Sequence, residues 1–113
     1  MKPIWWAMPT LHDYLMSQSI INSALLIVDI QNDFTGVNGK YPIDRSQSDE
    51  IINNINKLIN NAQQLNLTVV YIGNEYSLFD PLNIFRNFSA IAGSDGAKLN
   101  PKLTVKNKNY FTK

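Results

Sequence analysis

Two short stretches of the chain are largely apolar, and a long stretch between them is apolar only at helical spacing. Residues 24–30 open with the unbroken run ALLIV, which predicts a strand buried on both faces, as in a parallel sheet covered by helices. Residues 68–73, TVVYIG, predict a second strand because β-branched side chains are frequent there. In residues 49–65, isoleucine, leucine and alanine recur every three or four positions and predict an amphipathic helix. Strand, helix and strand in this order form a βαβ unit with a right-handed crossover.

The segments around this unit carry weaker signals. Glycine, asparagine and proline in residues 34–45 predict a loop, and Ser46 or Ser48 can cap the helix that follows. Pro81 can begin a short helix, and residues 109–112 predict a third short strand.

Together these elements predict an α/β fold with three α-β-α layers and a Rossmann-like parallel sheet. The strand at residues 24–30 is expected between the other two strands. Three strands and one long helix are half of a doubly wound sheet, so the pattern predicts an incomplete, truncated domain with an exposed strand edge. Residues 24–113 are expected to be the N-terminal part of that domain. Residues 1–23, which include Trp5 and Trp6, are expected to form a leader that packs on it.

Composition narrows the classes of function. Ten basic and nine acidic residues are scattered along the chain, so no charged surface for nucleic acid or an anionic membrane is predicted. No apolar run reaches the roughly 18 residues of a membrane span. The sequence has no cysteine, which excludes a cysteine nucleophile within these residues and fits a reducing compartment. A cytoplasmic location is therefore expected.

The first predicted strand runs into a carboxylate, Asp29. Ligands of open α/β sheets bind outside the carboxyl ends of the strands, where an aspartate can act as a general base, bind a metal or be phosphorylated. A purely structural role, as a cap for the next loop, fits the pattern equally well. A haloacid-dehalogenase-type phosphatase would need a second aspartate where Gln31 stands, and no glycine-rich phosphate loop follows the strand. A receiver-like or nucleotide-binding module stays open as a further interpretation.

The stretch ALLIVDIQNDF resembles the first strand of the isochorismatase-like cysteine hydrolases, the superfamily that includes nicotinamidases. The shared pattern is an apolar strand followed by Asp, any residue, Gln, any residue, Asp and Phe. Further along, TVVYIGNEYS, GSDGAKLNPKL and NYFTK resemble the segments that lead to a catalytic lysine at the end of a strand. The resemblance covers residues 24–113.

This resemblance implies catalysis by Asp, Lys and Cys side chains. The Asp takes the thiol proton, the Lys stabilises the thiolate, and the thiolate attacks a carbonyl or imine carbon to form a covalent intermediate. Backbone N–H groups near the Cys form the oxyanion hole. By resemblance, Asp29 is the aspartate and Lys113 is the first choice for the lysine, followed by Lys106 and then Lys108. The cysteine of the family lies past position 113, so these residues hold at most two of the three groups.

Other side chains are candidates for contacts within the same site. Phe34 and Asn74 are the candidate substrate-binding residues, since each stands just after a predicted strand end. Arg86 can pair with a substrate carboxylate or with Asp80. A single histidine, His12, predicts no metal site, and the second half of the chain lacks the metal ligands of nicotinamidases. No cofactor is expected.

The function implied by the resemblance is hydrolysis of an amide, or of a related C–N or ether bond, in a small molecule. The 113-residue chain is expected to be inactive on its own because it lacks the nucleophile, and it is expected to form homo-oligomers. The alternative is a truncated, non-catalytic α/β module for binding or assembly. A cysteine on a strand-to-helix turn downstream of residue 113 would favour the enzyme.

Overall fold

The computed structural model describes residues 22–113. Within them, one parallel sheet is formed by β1 (Ala24–Val28), β2 (Thr68–Gly73) and β3 (Tyr110–Thr112). The predicted α/β fold with a parallel sheet is therefore confirmed. The predicted leader, residues 1–23, lies outside the described residues except for its last two, so its packing stays a prediction.

The order of the strands in the sheet is β1-β2-β3, which makes β2 the central strand. The prediction that the first strand lies between the other two is wrong. Apolar patterning predicts that a strand is covered but does not show which strands are its neighbours. Among the described residues, β1 is covered on one face only, and its side chains Leu26 and Val28 are exposed. In the doubly wound order 3-2-1-4-5-6, the first strand becomes internal only when a fourth strand pairs with its far edge. Residues 22–113 contain no fourth strand.

Two helices follow β1. A single turn, α1 (Asn32–Thr35), comes first, and the long helix α2 (Arg45–Gln64) covers one face of the sheet. This long helix begins four residues earlier than predicted, because Asp44 caps it by accepting the Ser46 N–H at 2.8 Å. Its buried side chains pack with those of the sheet and of the segment before β3 in one core, which comprises Ile27, Ile30, Ile52, Ile59, Ala62, Val69, Tyr71 and Leu103.

The opposite face of the sheet is open among the described residues. Leu26, Val28 and Phe111 are 54%, 42% and 60% exposed there. Residues 22–113 thus supply two of the predicted layers, the sheet and the layer formed by α2. No helix in this part of the chain is long and apolar enough to cross a bilayer.

The chain between β2 and β3 contains two short 3₁₀ turns. Pro81–Ile84 forms a 3₁₀ turn that begins at the predicted proline, and Asp95–Ala97 forms another within a segment predicted as loop. β1 ends two residues earlier than predicted, because Asp29 has φ 62° and leaves the extended conformation.

Candidate functional site

The carboxyl ends of the three strands bring the predicted catalytic residues together. The Asp29 N–H donates to Ile72 O at 2.8 Å, and the Lys113 N–H donates to Gly73 O at 3.0 Å. Because β2 is central, the carbonyls of Ile72 and Gly73 at its end accept hydrogen bonds from the residues that follow β1 and β3. Asp29 and Lys113 therefore flank the same strand end from opposite sides.

The side chains of these two residues form an ion pair. Lys113 Nζ donates to Asp29 Oδ2 at 3.0 Å, and Asn74 Nδ2 donates to the other oxygen, Oδ1, at 3.0 Å. The pair is open to solvent, with 36% of the Asp29 side chain and 48% of the Lys113 side chain exposed. An exposed ion pair contributes about 0–1 kcal/mol to stability, so the pair contributes little to holding the fold together.

Asp29 also adopts an unusual backbone conformation. Its φ of 62° lies in the left-handed region, which non-glycine residues rarely adopt, although aspartate and asparagine tolerate it better than most. Such a conformation costs about 1–3 kcal/mol and persists only where the surroundings enforce it. Here the turn directs the carboxylate back over the edge of the sheet, toward Asn74 and Lys113.

The side chain of Gln31 holds Asn74, the residue that follows β2. Its side chain is fully buried, donates to Asn74 O at 2.7 Å and Ala97 O at 2.6 Å, and accepts the Asn74 N–H at 2.8 Å. The Gln31 amide thus pairs with the backbone of Asn74 as a neighbouring strand would. Because the backbone N–H and carbonyl of Asn74 are both hydrogen-bonded to Gln31, the side-chain amide of Asn74 is held in position to donate to Asp29.

Asp33 holds the loops around the site. Only 4% of this residue is exposed, and its carboxylate accepts the Ala90 N–H at 2.8 Å and the Lys40 N–H at 3.2 Å. A Cβ atom on Gly96 would collide with the same carboxylate, so glycine is required for the loop to approach this closely. One buried carboxylate therefore joins three loops.

A cleft of about 340 Å³ opens beside Asp29. Both candidate substrate-binding residues, Phe34 and Asn74, line it, and much of the remaining wall is aromatic. Contact of Phe34 and Asn74 with a substrate stays a prediction. The full lining consists of Asp29, Phe34, Tyr41, Asn74, Tyr76, Phe85, Arg86 and Ser89.

Of the two partners that the sequence allowed for Arg86, the structure shows Asp80. Arg86 Nη1 lies 3.1 Å from Asp80 Oδ2 and 3.0 Å from Asn83 Oδ1, and the guanidinium lies 3.9 Å from the centroid of the Tyr76 ring. The backbone N–H of Leu82 and, secondly, Arg86 lower the pKa of Asp80 below its usual value. The arginine in the wall of the cleft is thus already paired.

The three candidate lysines differ in their contacts with Asp29. Lys113 reaches Asp29, whereas neither Lys106 nor Lys108 forms a side-chain hydrogen bond or ion pair with it. The backbone N–H of Lys106 donates to the Tyr71 hydroxyl at 3.2 Å, which ties that segment to a side chain of β2. The geometry agrees with Lys113 as the first choice, while its catalytic role stays a prediction.

Sequence reasoning did not find the aromatic wall of the cleft. Tyr41, Tyr76 and Phe85 lie in loops without periodic patterning, so nothing in their spacing marks them as neighbours of Asp29.

A second cavity of about 390 Å³ lies beside Tyr110, and its lining does not include Asp29. Burial raises the pKa of Tyr110 above its usual 10.0, and the charges of Glu75 and Asp29 add to this effect, so Tyr110 is a neutral phenol at pH 7.

Within residues 22–113, no three His, Cys, Asp or Glu side chains are grouped so that they could hold a metal ion. His12, the histidine considered above, lies outside the described residues.

Comparison with known proteins identifies both a family and a fold. The family model described as isochorismatase domain matches residues 23–113. No curated protein sequence matches the chain significantly.

Two crystal structures share the fold. An isochorismatase-like hydrolase from Alkaliphilus metalliredigens superposes with a TM-score of 0.69 at 21% identity, over 80% of this chain and 50% of that one. The N-carbamoylsarcosine amidase from Thermoplasma acidophilum superposes with a TM-score of 0.62 at 20% identity, over 79% of this chain and 49% of that one. The chain aligns with about half the length of each of these proteins.

Proposed function

The chain belongs to the isochorismatase family, and on this premise we propose that Asp29 and Lys113 form the proton-transfer pair of a small-molecule hydrolase. The substrate bond is an amide, or a related C–N or ether bond. The observation that carries the proposal is the 3.0 Å contact between Lys113 Nζ and Asp29 Oδ2 at the carboxyl edge of the sheet. The contact borders a cleft of about 340 Å³, which is the size of a small-molecule site.

The proposed chemistry needs a thiol in addition to this pair. Asp29 accepts the thiol proton, and the positive charge of Lys113 stabilises the thiolate. For an amide, the thiolate forms a bond to the carbonyl carbon, the C–N bond breaks, and the amine leaves with the proton from Asp29. Water then cleaves the thioester, releases the acid and restores the thiol. Because the 113 residues contain no cysteine, we propose that the thiol is supplied by polypeptide outside them.

The cleft favours substrates with a planar, partly apolar body. Phe34, Tyr41 and Tyr76 provide aromatic surface, and Asn74 provides an amide beside the reacting carboxylate. Asn74 already donates one N–H to Asp29. Its role in this proposal is to orient the carboxylate as well as to contact the substrate.

The first experiment is a turnover assay of the purified chain against nicotinamide, isochorismate and simple amides. We expect no turnover, because members of a catalytic unit lose nearly all activity when the nucleophile is missing. Asp29→Ala is the control. Turnover that depends on Asp29 would mean that another group is the nucleophile, and the thiol mechanism would have to be abandoned.

The second experiment supplies the nucleophile. Residues 23–113 replace the matched half of the Alkaliphilus hydrolase, and the chimera is assayed with the same compounds. We expect turnover that Asp29→Asn and Lys113→Met each reduce at least about 100-fold, while Lys106→Met leaves it unchanged. A folded chimera without turnover would favour the alternative, a non-catalytic module for binding or assembly. The cytoplasmic location stays a prediction under either function.

A further inference from the structure

The second cavity, of about 390 Å³, shares no lining residue with the cleft beside Asp29. We call it the Tyr110 cavity. Its wall is formed by Tyr110, by Glu75 shortly after β2, and by residues of the segment 93–99. Small-molecule sites have volumes of about 300–1,000 Å³, so the cavity is large enough for a ligand. The chemistry proposed above makes no use of it.

The Tyr110 cavity lies on the side of the sheet that α2 covers. Tyr110 pairs with Tyr71 in the register of β3 and β2, and paired residues on neighbouring strands point to the same face. Tyr71 is fully buried in the core, and Tyr110 packs against that core. Phe111 points the other way and is 60% exposed on the open face. A further layer on the open face would therefore not fill this cavity.

The walls of the cavity are held by the body of the protein. The Ala97 carbonyl accepts a hydrogen bond from the buried side chain of Gln31 at 2.6 Å. Leu99, like Tyr110, packs against the core. The Tyr110 hydroxyl lies so close to β2 that a Cβ atom on Gly73 would be 2.5 Å from it. A cavity with walls fixed in this way accepts a ligand at little cost in ordering.

Two polar groups of the lining have no partner within residues 22–113. The Glu75 carboxylate and the Tyr110 hydroxyl form no hydrogen bond or ion pair with the described residues. Lys98, the cation of the lining, lies 3.3 Å from Asp95 instead. Because Lys98 and Asp95 balance each other, Glu75 gives the cavity an excess of negative charge. Burial, and secondly the charge of Glu75, raise the pKa of Tyr110, so its oxygen stays that of a neutral phenol at pH 7.

These groups fit a small organic cation. A primary ammonium group can donate a charge-assisted hydrogen bond to Glu75 and a second one to the Tyr110 oxygen. An apolar body can pack against Leu99 and the Tyr110 ring, whose face also attracts cations. An anion would be repelled by the unpaired carboxylate.

We propose that the Tyr110 cavity is a binding site for a small primary ammonium ion that carries an apolar or aromatic group. The proposal concerns a site separate from the cleft and does not depend on the proposed hydrolase activity.

A ¹⁵N–¹H titration of the 113-residue chain with phenethylammonium tests the proposal. We expect saturable shifts of the Gly93, Lys98 and Leu99 amides, with a Kd of about 1 mM or below. Glu75→Gln removes the charge, keeps the shape and should weaken binding at least about 10-fold. Glu50→Gln, at an exposed position of α2, changes the net charge equally and should leave the Kd unchanged. Thermal melting by circular dichroism checks that both variants fold.

Two further compounds separate the charge of the ligand from its shape. In 2-phenylethanol a hydroxyl replaces the ammonium group, so we expect binding at least about 10-fold weaker that Glu75→Gln does not change. Phenylacetate carries the opposite charge and should give no shifts in the lining of the cavity.

Four outcomes would overturn the proposal. The first is the absence of saturable shifts at about 20 mM phenethylammonium, or shifts confined to the cleft at Phe34 and Asn74. The second is equal weakening by Glu75→Gln and Glu50→Gln, which would show attraction to net charge alone. The third is equal affinity for phenethylammonium and 2-phenylethanol, which would show that Glu75 recognises nothing. The fourth is binding of phenylacetate in the cavity, which would make Lys98 the recognising group.

Discussion

The polar side chains of one short motif, residues 29–33, differ sharply in their surroundings. Gln31 and Asp33 are 0% and 4% exposed, and backbone groups from distant loops supply their hydrogen bonds. Asp29 keeps 36% of its side chain exposed, and its partners are the side chains of Lys113 and Asn74. A buried group bonded to backbone cannot change partners without unfolding loops, whereas an exposed carboxylate bonded to side chains can exchange a proton or a partner. The motif therefore combines a buried scaffold with one exposed carboxylate, for which we propose the reactive role.

The largest effect is expected from Gln31→Leu, which removes the buried amide from the scaffold. It leaves the Asn74 N–H, the Asn74 carbonyl and the Ala97 carbonyl without partners, at about 1–3 kcal/mol each. We expect urea denaturation to show a loss of at least about 3 kcal/mol, or no folded protein. The control is Asn32→Ala, which loses one exposed hydrogen bond to Asp95 O and should cost about 1 kcal/mol or less. Similar losses in both variants would contradict the scaffold role of Gln31.

Asp33→Asn should have the next largest effect. The new NH₂ group must face the N–H of either Ala90 or Lys40, so one hydrogen bond becomes a contact between two donors. We expect a loss of about 2–3 kcal/mol in the free energy of unfolding. Asp95→Asn is the matched control, since the Asp95 side chain is 83% exposed and should change stability by less than about 0.5 kcal/mol. An equal effect of the two substitutions would show that Asp33 does not hold the loops.

Asp29→Asn should change stability by about 1 kcal/mol or less, because the lost ion pair is exposed and asparagine tolerates a positive φ. Asp29→Ala should cost more than Asp29→Asn, since alanine adopts this conformation less readily. Thermal denaturation of the two variants measures the difference. A loss of several kcal/mol in Asp29→Asn would place Asp29 with the scaffold and would remove the distinction within the motif.

The smallest effect is expected on protonation of Asp80, whose carboxylate caps the 3₁₀ turn Pro81–Ile84. The Leu82 N–H, and secondly Arg86, hold the pKa of Asp80 below its usual 3.8. Since the folded-state pKa is lower than that of the unfolded chain, the contribution of Asp80 is complete above pH 3.8 and is lost as the pH falls through the lower, folded value. The Leu82 amide resonance should therefore titrate with a midpoint below about pH 3.8. A midpoint above this pH would contradict the contact.

The parts of the fold that depend on local periodicity were predictable from the sequence. β2 has the predicted bounds, and the βαβ unit with α2 is present. Within α2, Ile52 and Ile59 are buried as the apolar spacing predicts, but Leu58 is 53% exposed because it lies at the margin of the stripe. The helix cap at Asp44 was missed because Ser46 and Ser48 are equally good capping residues in sequence terms.

The parts that depend on tertiary arrangement were predicted less completely. The meeting of Asp29 and Lys113 follows from a general property of parallel sheets, whose carboxyl ends lie at one edge, together with the family resemblance. The strand order does not follow from either, since pairing depends on strands that the pattern of residues 24–30 does not identify. The aromatic wall of the cleft was missed because loop conformation is set by buried groups such as Asp33, far along the chain from the residues they position.

The central claim is that Asp29, paired with Lys113, is the reactive group of the cleft. The most direct measurement is turnover of nicotinamide and simple amides by the chimera that carries residues 23–113, repeated with Asp29→Asn, with Lys113→Met and with the control Asp95→Asn. The account predicts turnover that Asp29→Asn and Lys113→Met each reduce at least about 100-fold and that Asp95→Asn preserves. Turnover that Asp29→Asn leaves unchanged would contradict it.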